Sequence, residues 1–348
     1  LGVSQGPMRS TITVDLGALR RNAEVLREAA APAELWAVVK ADAYGHGAVG
    51  AARAALAGGA SALCVATARE GGDLREAFPS ARILVMGPLG SGEDALARDA
   101  RLEAALSTPE VPDGLDVHLK VDTGMGRWGM TLEQALALPR ERVVGVMSHL
   151  ATADEADETF ARLQIARFRE VAEAFAGVPA HLANSAGALR FPEARFDAVR
   201  CGIALYGLSP FGDDPGRHGL QPVLSWRSYV AEARTLAAGE STGYGRRFVA
   251  EEPTRVGIVP VGYADGFRRG LTGTEVLVGD TRRPVVGTIS MDSLAVELGD
   301  EPAGTPVTLI GDGILAEEHA RVLGTINYEI TCGLNRDRSR SERRIADG

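Results

Sequence analysis

Leu35-Trp36-Ala37-Val38-Val39-Lys40-Ala41-Asp42-Ala43-Tyr44-Gly45-His46-Gly47 joins a nearly continuous apolar run to a glycine-bounded turn, with a lysine at the junction. An apolar run without polar alternation suits a strand buried on both faces. Leu35–Lys40 is the first of eight such runs; Ala62–Thr67, Arg82–Gly87, Ala104–Ser107, Asp116–Val121, Val143–His149, Ala180–Ala183 and Val199–Leu205 follow. The segments between them read as helices. Asp15 stands as an N-cap before Leu16, Leu19, Ala23 and Leu26. Phe160, Leu163, Val171, Ala174 and Phe175 fall near one helical face. Strand alternating with helix over residues 12–235 predicts a (β/α)8 TIM barrel, with an open doubly wound sheet as the alternative on alternation alone.

After residue 235 the rhythm changes. Arg255–Gly262, Thr274–Val278, Pro284–Ile289, Leu294–Leu298 and Pro306–Ile310 are short runs punctuated by Gly279-Asp280, Gly299-Asp300 and Gly311-Asp312. This spacing predicts a mainly antiparallel β domain over residues 236–348, with one short helix around Ala316–Leu323. Arg336–Arg344 is arginine-rich and polar and reads as a frayed end. Residues 1–11 read as an N-terminal extension packing on the β domain, with Leu1–Pro7 unstructured. The whole is an α/β chain: an N-terminal barrel followed by a C-terminal β domain.

At 348 residues the chain exceeds one ordinary domain. Its net charge of −9 argues against a nucleic-acid surface, which needs clustered Lys and Arg. Cys64, Cys201 and Cys332 are scattered and form no CxxC pair, so no metal or disulfide framework is readable and a reducing, cytoplasmic setting fits. No apolar run approaches the ~18 residues of a membrane span, and the opening residues lack a secretory pattern.

In a barrel, functional groups gather where strands end and βα loops begin. Lys40 ends the first run; a lysine buried there pays heavily for its charge, and a depressed pKa is what a Schiff-base lysine needs. A lysine reaching solvent is the plain alternative. Tyr44 can donate to an anion, and Gly45 and Gly47 permit tight turns. Leu119-Lys120-Val121-Asp122-Thr123-Gly124-Met125-Gly126-Arg127-Trp128-Gly129 carries an arginine able to grip a carboxylate through two parallel hydrogen bonds, or to form a surface ion pair. Ser148-His149-Leu150, His181-Leu182-Ala183-Asn184-Ser185 and Arg200-Cys201-Gly202-Ile203 end later strands. Alone, His149 reads as a core histidine and Ser185 as a cap. Together, Ser185, Gly202 and Ile203 lie on the last two βα loops, a recurrent phosphate site. In the β domain, Tyr244 sits between glycines in a turn, and Met291 alone would be core packing.

These motifs, in order from about Val14 to Gly333, resemble those of the alanine racemase family. The resemblance implies pyridoxal phosphate as cofactor, carried by Lys40, with Tyr44, Ser185, Gly202, Ile203 and Tyr328 at its phosphate and Asn184 beside them. It implies Arg200 at the pyridine nitrogen, with His149 hydrogen-bonded to that arginine. It places Arg127 and the Met291 amide at the substrate carboxylate and Tyr263 at the substrate entrance. It makes Lys120 a possible carbamate that orients Arg127, and Lys40 and Tyr244 the two catalytic bases. Tyr244 and Met291 would act on the site of a second copy, implying a homodimer with shared active sites. The implied activity interconverts L- and D-alanine and supplies D-alanine for peptidoglycan. A serine or broad-specificity racemase of the same fold is the nearest alternative. A non-catalytic pyridoxal-phosphate protein is the alternative of another class, and the second domain argues against it. An arginine keeps its protons near neutral pH, so the pyridine nitrogen would stay unprotonated and the cofactor would be a weaker electron sink, which favours proton return over side reactions. Cys201 stands where many members of that family carry proline.

Overall fold

The computed structural model describes residues 8–347. Contacts divide them into two units. One unit, Ala18–Phe211 with Pro215–Gln221, holds the barrel. Its strands are Glu34–Val38, Ala62–Val65, Arg82–Val85, Glu103–Leu106, Val117–Lys120, Val143–Met147, Ala180–His181 and Ala198–Cys201. All neighbours are parallel, and pairing of Leu35 with Val199 closes the ring. The closed barrel expected from the sequence is therefore the one observed, and the open sheet is not. Strands such as Ala62-Leu63-Cys64-Val65 are buried at every position, which is why their sequence shows no polar alternation.

The helix Thr159–Ala174 departs from its expected face. Phe160 and Leu163 are exposed, while Ala161, Gln164, Ile165, Phe168 and Val171 are buried. The buried stripe contains a glutamine because its amide is consumed. Gln164 Nε2 donates to the His149 carbonyl at 3.0 Å, and its Oε1 accepts from the Ala151 amide at 2.8 Å. A polar residue with a full set of partners is invisible to a count of apolar positions.

The other unit gathers the described residues up to Gly17, Gly212–Asp214 and everything from Pro222 onward. Its strands run in the spatial order Glu232–Leu236, Thr254–Val259, Leu294–Glu297, Thr281–Val286, Glu275–Val278, Pro306–Ile310, Leu224–Tyr229, Thr11–Asp15, Glu342–Ala346. Every pair is antiparallel except the last. Thr11–Asp15 and the strands from Leu224 onward belong here, although the alternation placed residues 12–235 with the barrel. Their burial alternates, with Ile12 and Val14 inward on one strand and Leu224, Trp226 and Ser228 on another, as a strand with one wet face should. A helix spans Ala316–Leu323 as expected, and a further one, Asn327–Cys332, follows. No helix among the described residues is long and apolar enough to cross a membrane. The expectation for Leu1–Pro7 lies outside the described residues.

The arginine-rich end is not frayed. Glu342–Ala346 pairs in parallel with Thr11–Asp15, Val14 facing Ile345. The Glu342 amide donates to the Ser10 carbonyl at 3.0 Å, and the Ser10 and Ser341 hydroxyls meet at 2.6 Å. Arg340 donates to Asp265 and Asp292, both at 2.7 Å. Charged side chains suit an edge strand, so polarity there marks an edge and not disorder. Hydrogen exchange should show the peptide 341–346 protected at least ~10-fold over free chain; exchange at the free-chain rate would remove the strand.

Candidate active site

The site begins where the first barrel strand ends. Ala41, Asp42, Ala43 and Tyr44 all have φ of 53–54°, one turn of left-handed helix built from non-glycine residues. Each such residue costs roughly 1–2 kcal/mol against the right-handed form. The turn is held from outside. Glu70 Oε1 accepts from the Ala41 amide at 2.7 Å, while its Oε2 accepts from the Ala66 amide at 2.8 Å. Asp42 Oδ1 accepts from the Ala48 amide at 2.8 Å, and the Gly47 amide donates to the Asp42 carbonyl at 2.9 Å. Strain sustained this way marks a position where backbone geometry serves function. Here it fixes half-buried Lys40 at the strand end and lays the Tyr44 ring against the backbone of Gly202, where an added Cβ would come within 2.5 Å of the phenol oxygen. That close approach is the physical demand for glycine at 202.

Arg200 ends the last strand with only 3% exposure. Its NH1 donates to His181 Nδ1 at 2.7 Å and to the His181 carbonyl at 2.8 Å. Its NH2 donates to the Ser148 carbonyl at 2.7 Å, the Leu182 carbonyl at 3.1 Å and His149 Nδ1 at 3.3 Å. Among the described residues Nε makes no hydrogen bond. Burial pulls the guanidinium down to about 10, so it stays charged at neutral pH. Burial, then the charges of Arg200, Arg127, Lys120 and Lys40, hold His149 well below its ordinary value and hence neutral. Ser185 Oγ accepts from the Gly202 amide at 3.0 Å and the Ala204 amide at 3.4 Å. Asn184 caps the helix Ser185–Arg190 by accepting from the Gly187 amide. Ile203 opens the short 3-10 turn that follows Gly202.

Lys120 ends the fifth barrel strand, 6% exposed, with no hydrogen bond to its ammonium among the described residues. Burial, reinforced by Arg200, Arg127 and Lys40, lowers it to about 8, opposed by Asp122. The loop that follows is shaped by Asp122, whose carboxylate accepts from the Gly124 and Gly126 amides at 2.9 and 3.0 Å. Arg127 rides on that loop, exposed and without a hydrogen bond or ion pair among the described residues. The barrel thus brings together Lys40, Tyr44, Lys120, Arg127, His149, Asn184, Ser185, Arg200, Gly202 and Ile203 at the C-terminal ends of its strands.

The remaining candidates lie in the sheet unit. Tyr244 is 72% exposed, between Gly243 and Gly245, both at positive φ. Thr288 Oγ1 donates to the Tyr244 carbonyl at 2.8 Å, tying that turn to the segment leading to Met291. The Tyr263 and Ala264 amides donate to the Ser290 and Met291 carbonyls at 3.0 and 3.1 Å. At Gly262 an added Cβ would collide with those two carbonyl oxygens. Tyr244, Tyr263 and Met291 are therefore presented on linked turns, beside a cavity of about 400 Å³ lined by Thr242, Tyr244, Ile258 and Ser290. Tyr328 stands apart from them on the helix Asn327–Cys332.

Sequence reasoning passed over a buried polar chain in the barrel, made of Arg82, Glu103, His118 and His181. Two signals pointed to it. His118 and Lys120 are two apart on one strand and so share a face, and Gly145 interrupts an apolar strand, which marks a close approach.

Similarity to known proteins runs along the whole chain. The alanine racemase N-terminal domain family matches residues 14–210, and the alanine racemase C-terminal domain family matches residues 223–342. An alanine racemase of Symbiobacterium thermophilum is 41% identical over 354 residues, covering 93% of this chain and 94% of its own. The crystal structure of alanine racemase from D-cycloserine-producing Streptomyces lavendulae superposes with a TM-score of 0.92 at 36% identity, over 99% of this chain and 98% of that one. Alanine racemase from Bartonella henselae, solved with covalently bound pyridoxal phosphate, gives a TM-score of 0.89 at 29% identity, over 97% of this chain and 100% of that one.

Lys40 and Lys120 are the only lysines among the chain's 37 Lys and Arg residues, so side-chain NMR of ¹⁵N-lysine protein resolves two groups. With carbon dioxide excluded, Lys120 should titrate at about 8 against an ordinary 10.5, and Lys120→Met should remove that titration. Between those values the unfolded chain binds a proton that the folded chain does not, so stability should rise with pH across that window. An ordinary amine titration for Lys120 would overturn this.

Proposed function

Because this chain belongs to the alanine racemase family, we propose that it interconverts L- and D-alanine, with pyridoxal phosphate as cofactor and Lys40 and Tyr244 as its two bases. The observation that carries the reading is Arg200, a charged guanidinium sealed in the barrel with Nε left over.

The residues present fit the cofactor. Lys40, Lys120, Arg127 and Arg200 are near enough to depress Lys120 and His149 together, so the barrel mouth favours a multiply charged anion. Gly202 leaves room for the Tyr44 phenol against the backbone, and the Ser185 hydroxyl bonds the same segment. Tyr44, Ser185, the Gly202 and Ile203 amides and Tyr328 would hold the phosphate, with Asn184 fixing the Ser185 turn and His149 bonded to Arg200. When bound, pyridoxal phosphate would withdraw electron density from the substrate's α-carbon and acidify its C–H bond.

Arg127 binds the substrate carboxylate through its two parallel N–H groups, assisted by the Met291 amide. Lys120, on the strand that leads into that loop, would orient Arg127 as a carbamate, whose oxygens accept from the guanidinium. Arg200 keeps all its protons and passes none to the ring nitrogen. One base cannot serve both faces of a planar carbon. The Lys40 amine therefore moves the α-proton on one face and the Tyr244 phenol on the other, the amine acting on the D-isomer and the phenol on the L-isomer. Tyr263 lines the entrance. The exposure of Tyr244, Tyr263 and Met291 supports a homodimer in which these turns complete the site of a second copy. Cys64, Cys201 and Cys332 form no disulfide, which accords with a reducing cytoplasm, where D-alanine would supply peptidoglycan synthesis.

Borohydride treatment of the yellow holoenzyme should bleach it and label Lys40, not Lys120. Tyr244→Phe should keep the cofactor's absorbance and lose alanine racemisation by on the order of 10²–10⁴-fold, the usual range for a lost acid–base group. Full activity of that variant in both directions would remove Tyr244 from its role.

A further inference from the structure

Four polar side chains cross the barrel below Arg200. Arg200 NH1 meets His181 Nδ1 at 2.7 Å, His181 Nε2 meets His118 Nδ1 at 2.8 Å, and His118 Nε2 meets Glu103 Oε2 at 2.8 Å. Arg82 Nε donates to Glu103 at 2.8 Å, and its guanidinium carbon lies 4.6 Å from the Trp36 ring centre. Both imidazoles are fully buried.

The proton positions in this chain follow from elimination. Arginine can only donate, so His181 Nδ1 must accept and its proton must sit on Nε2. That N–H points at His118 Nδ1, which must therefore accept, so the His118 proton must also sit on Nε2. This last N–H donates to Glu103, which as a carboxylate can only accept. An imidazolium at His118 would donate from Nδ1 and leave His181 accepting at both nitrogens, which a neutral ring cannot do. Burial, despite Glu103, lowers His118, and burial with the Arg200 charge holds His181 well below its ordinary value, so neutral rings agree with the geometry. Burial raises Glu103, but the hydrogen bond from neutral His118 together with the hydrogen bond and charge of Arg82 outweighs it and leaves the carboxyl below its ordinary value. Arg82 NH2 also stands 3.5 Å from His118 Nε2. At that length it is marginal, and it does not reverse the much shorter bond to the carboxylate.

The backbone makes room for this arrangement. A Cβ at Gly145, opposite His118 on the neighbouring strand, would collide with His118 Nδ1 and Cε1. Trp36 closes the other side, 4.5 Å from the His181 ring and 5.7 Å from His118.

We propose that His118 is a positioning residue, the middle of a one-directional relay from Arg200 through His181 to Glu103 that fixes the His181 tautomer and so holds the Arg200 guanidinium in place. Its effect on turnover rests on the reading of Arg200 as the group at the cofactor's ring nitrogen; the direction of the relay does not. With His118 removed, the His181 Nε2–H loses its acceptor. The ring is then free to carry its proton on Nδ1, against the Arg200 N–H, and Arg200 loses one of the acceptors that aim it.

The test compares His118→Asn with His118→Leu in the holoenzyme. Asparagine can set its Oδ1 where Nδ1 stood and still accept from His181; leucine fills the space and accepts nothing. A space-filling role predicts that leucine is the better tolerated, since a buried amide is costly. The relay predicts the reverse. His118→Leu should lose on the order of 10–100-fold in kcat, as the loss of a hydrogen-bond partner that orients an imidazole does, and His118→Asn should recover most of it. ¹⁵N-histidine NMR gives the independent readout: both rings neutral and protonated on Nε2 in the parent enzyme, with His181 unchanged in His118→Asn and shifted toward Nδ1–H in His118→Leu. A parent His181 protonated on Nδ1, or leucine outperforming asparagine, would overturn the relay. Nε2–H tautomers in a chain that racemises no alanine would uphold the relay and count against the functional reading instead.

Discussion

A guanidinium taken out of water has to be met by acceptors, because the desolvation of an unpaired ion exceeds anything packing returns. Arg200 is in that position, and the ends of two barrel strands, Val143–Met147 and Ala180–His181, are arranged around it. Carbonyls of Ser148, His181 and Leu182 and two neutral imidazoles surround its terminal nitrogens. None of these groups carries negative charge. The nearest carboxylate on the chain of contacts, Glu103, is two histidines away. Arg200 is thus solvated but not neutralised, and its field reaches Lys120 and His149, both depressed. Asp122 opposes it at Lys120 but is outweighed there by burial and the neighbouring cations. A site assembled this way is short of negative charge until an anion arrives, and this links the packing of the barrel floor to the chemistry at its mouth.

The left-handed turn after Lys40 answers the same demand with backbone. Four consecutive non-glycine residues at positive φ cannot be stable on local propensity. They persist because Glu70 reaches across from the next βα unit to the Ala41 amide and Asp42 caps the following helix. Glu70 also forms the capping box with Thr67. One carboxylate therefore starts a helix and restrains the left-handed turn, so the stiffness of a neighbouring unit is transmitted to the position of Lys40 and of the Tyr44 ring.

How much of this was legible depends on what each residue's partners are. The eight barrel strands were readable because burial on both faces removes every polar position. Two strands of the sheet unit were not: Thr11–Asp15 runs directly into a helix, and the edge strand Glu342–Ala346 is charged because it faces water, so its polarity resembled an unstructured tail. Lys40, Arg127, Arg200 and Tyr244 stood out through motif resemblance. Nothing in their own residue types required it; alone, Lys40, Arg127 and Tyr244 each had an ordinary explanation. His118 and Gln164 were missed because a buried polar side chain whose hydrogen bonds are all made looks, in sequence, like any other interruption of an apolar pattern. The spacing of His118 from Lys120 and the glycine at 145 were the local traces, and the meaning of Gly145 appears only once the neighbouring strand is known.

The distribution of cations adds a final constraint. Of 37 Lys and Arg residues only Lys40 and Lys120 are lysines; Lys120 ends one barrel strand and Lys40 lies two residues past the end of another. Guanidinium and ammonium serve equally well as solubilising charges, but only an amine can lose its proton near neutral pH and attack a carbonyl or carbon dioxide. A surface built on arginine presents no competing amine of that kind. The two lysine side chains that remain sit in a field of neighbouring cations, and Lys120 at least is thereby brought close to neutral pH. The amine of Lys120 is thus set apart by two things together: an environment that lowers its pKa, and a composition that leaves no lysine besides it and Lys40.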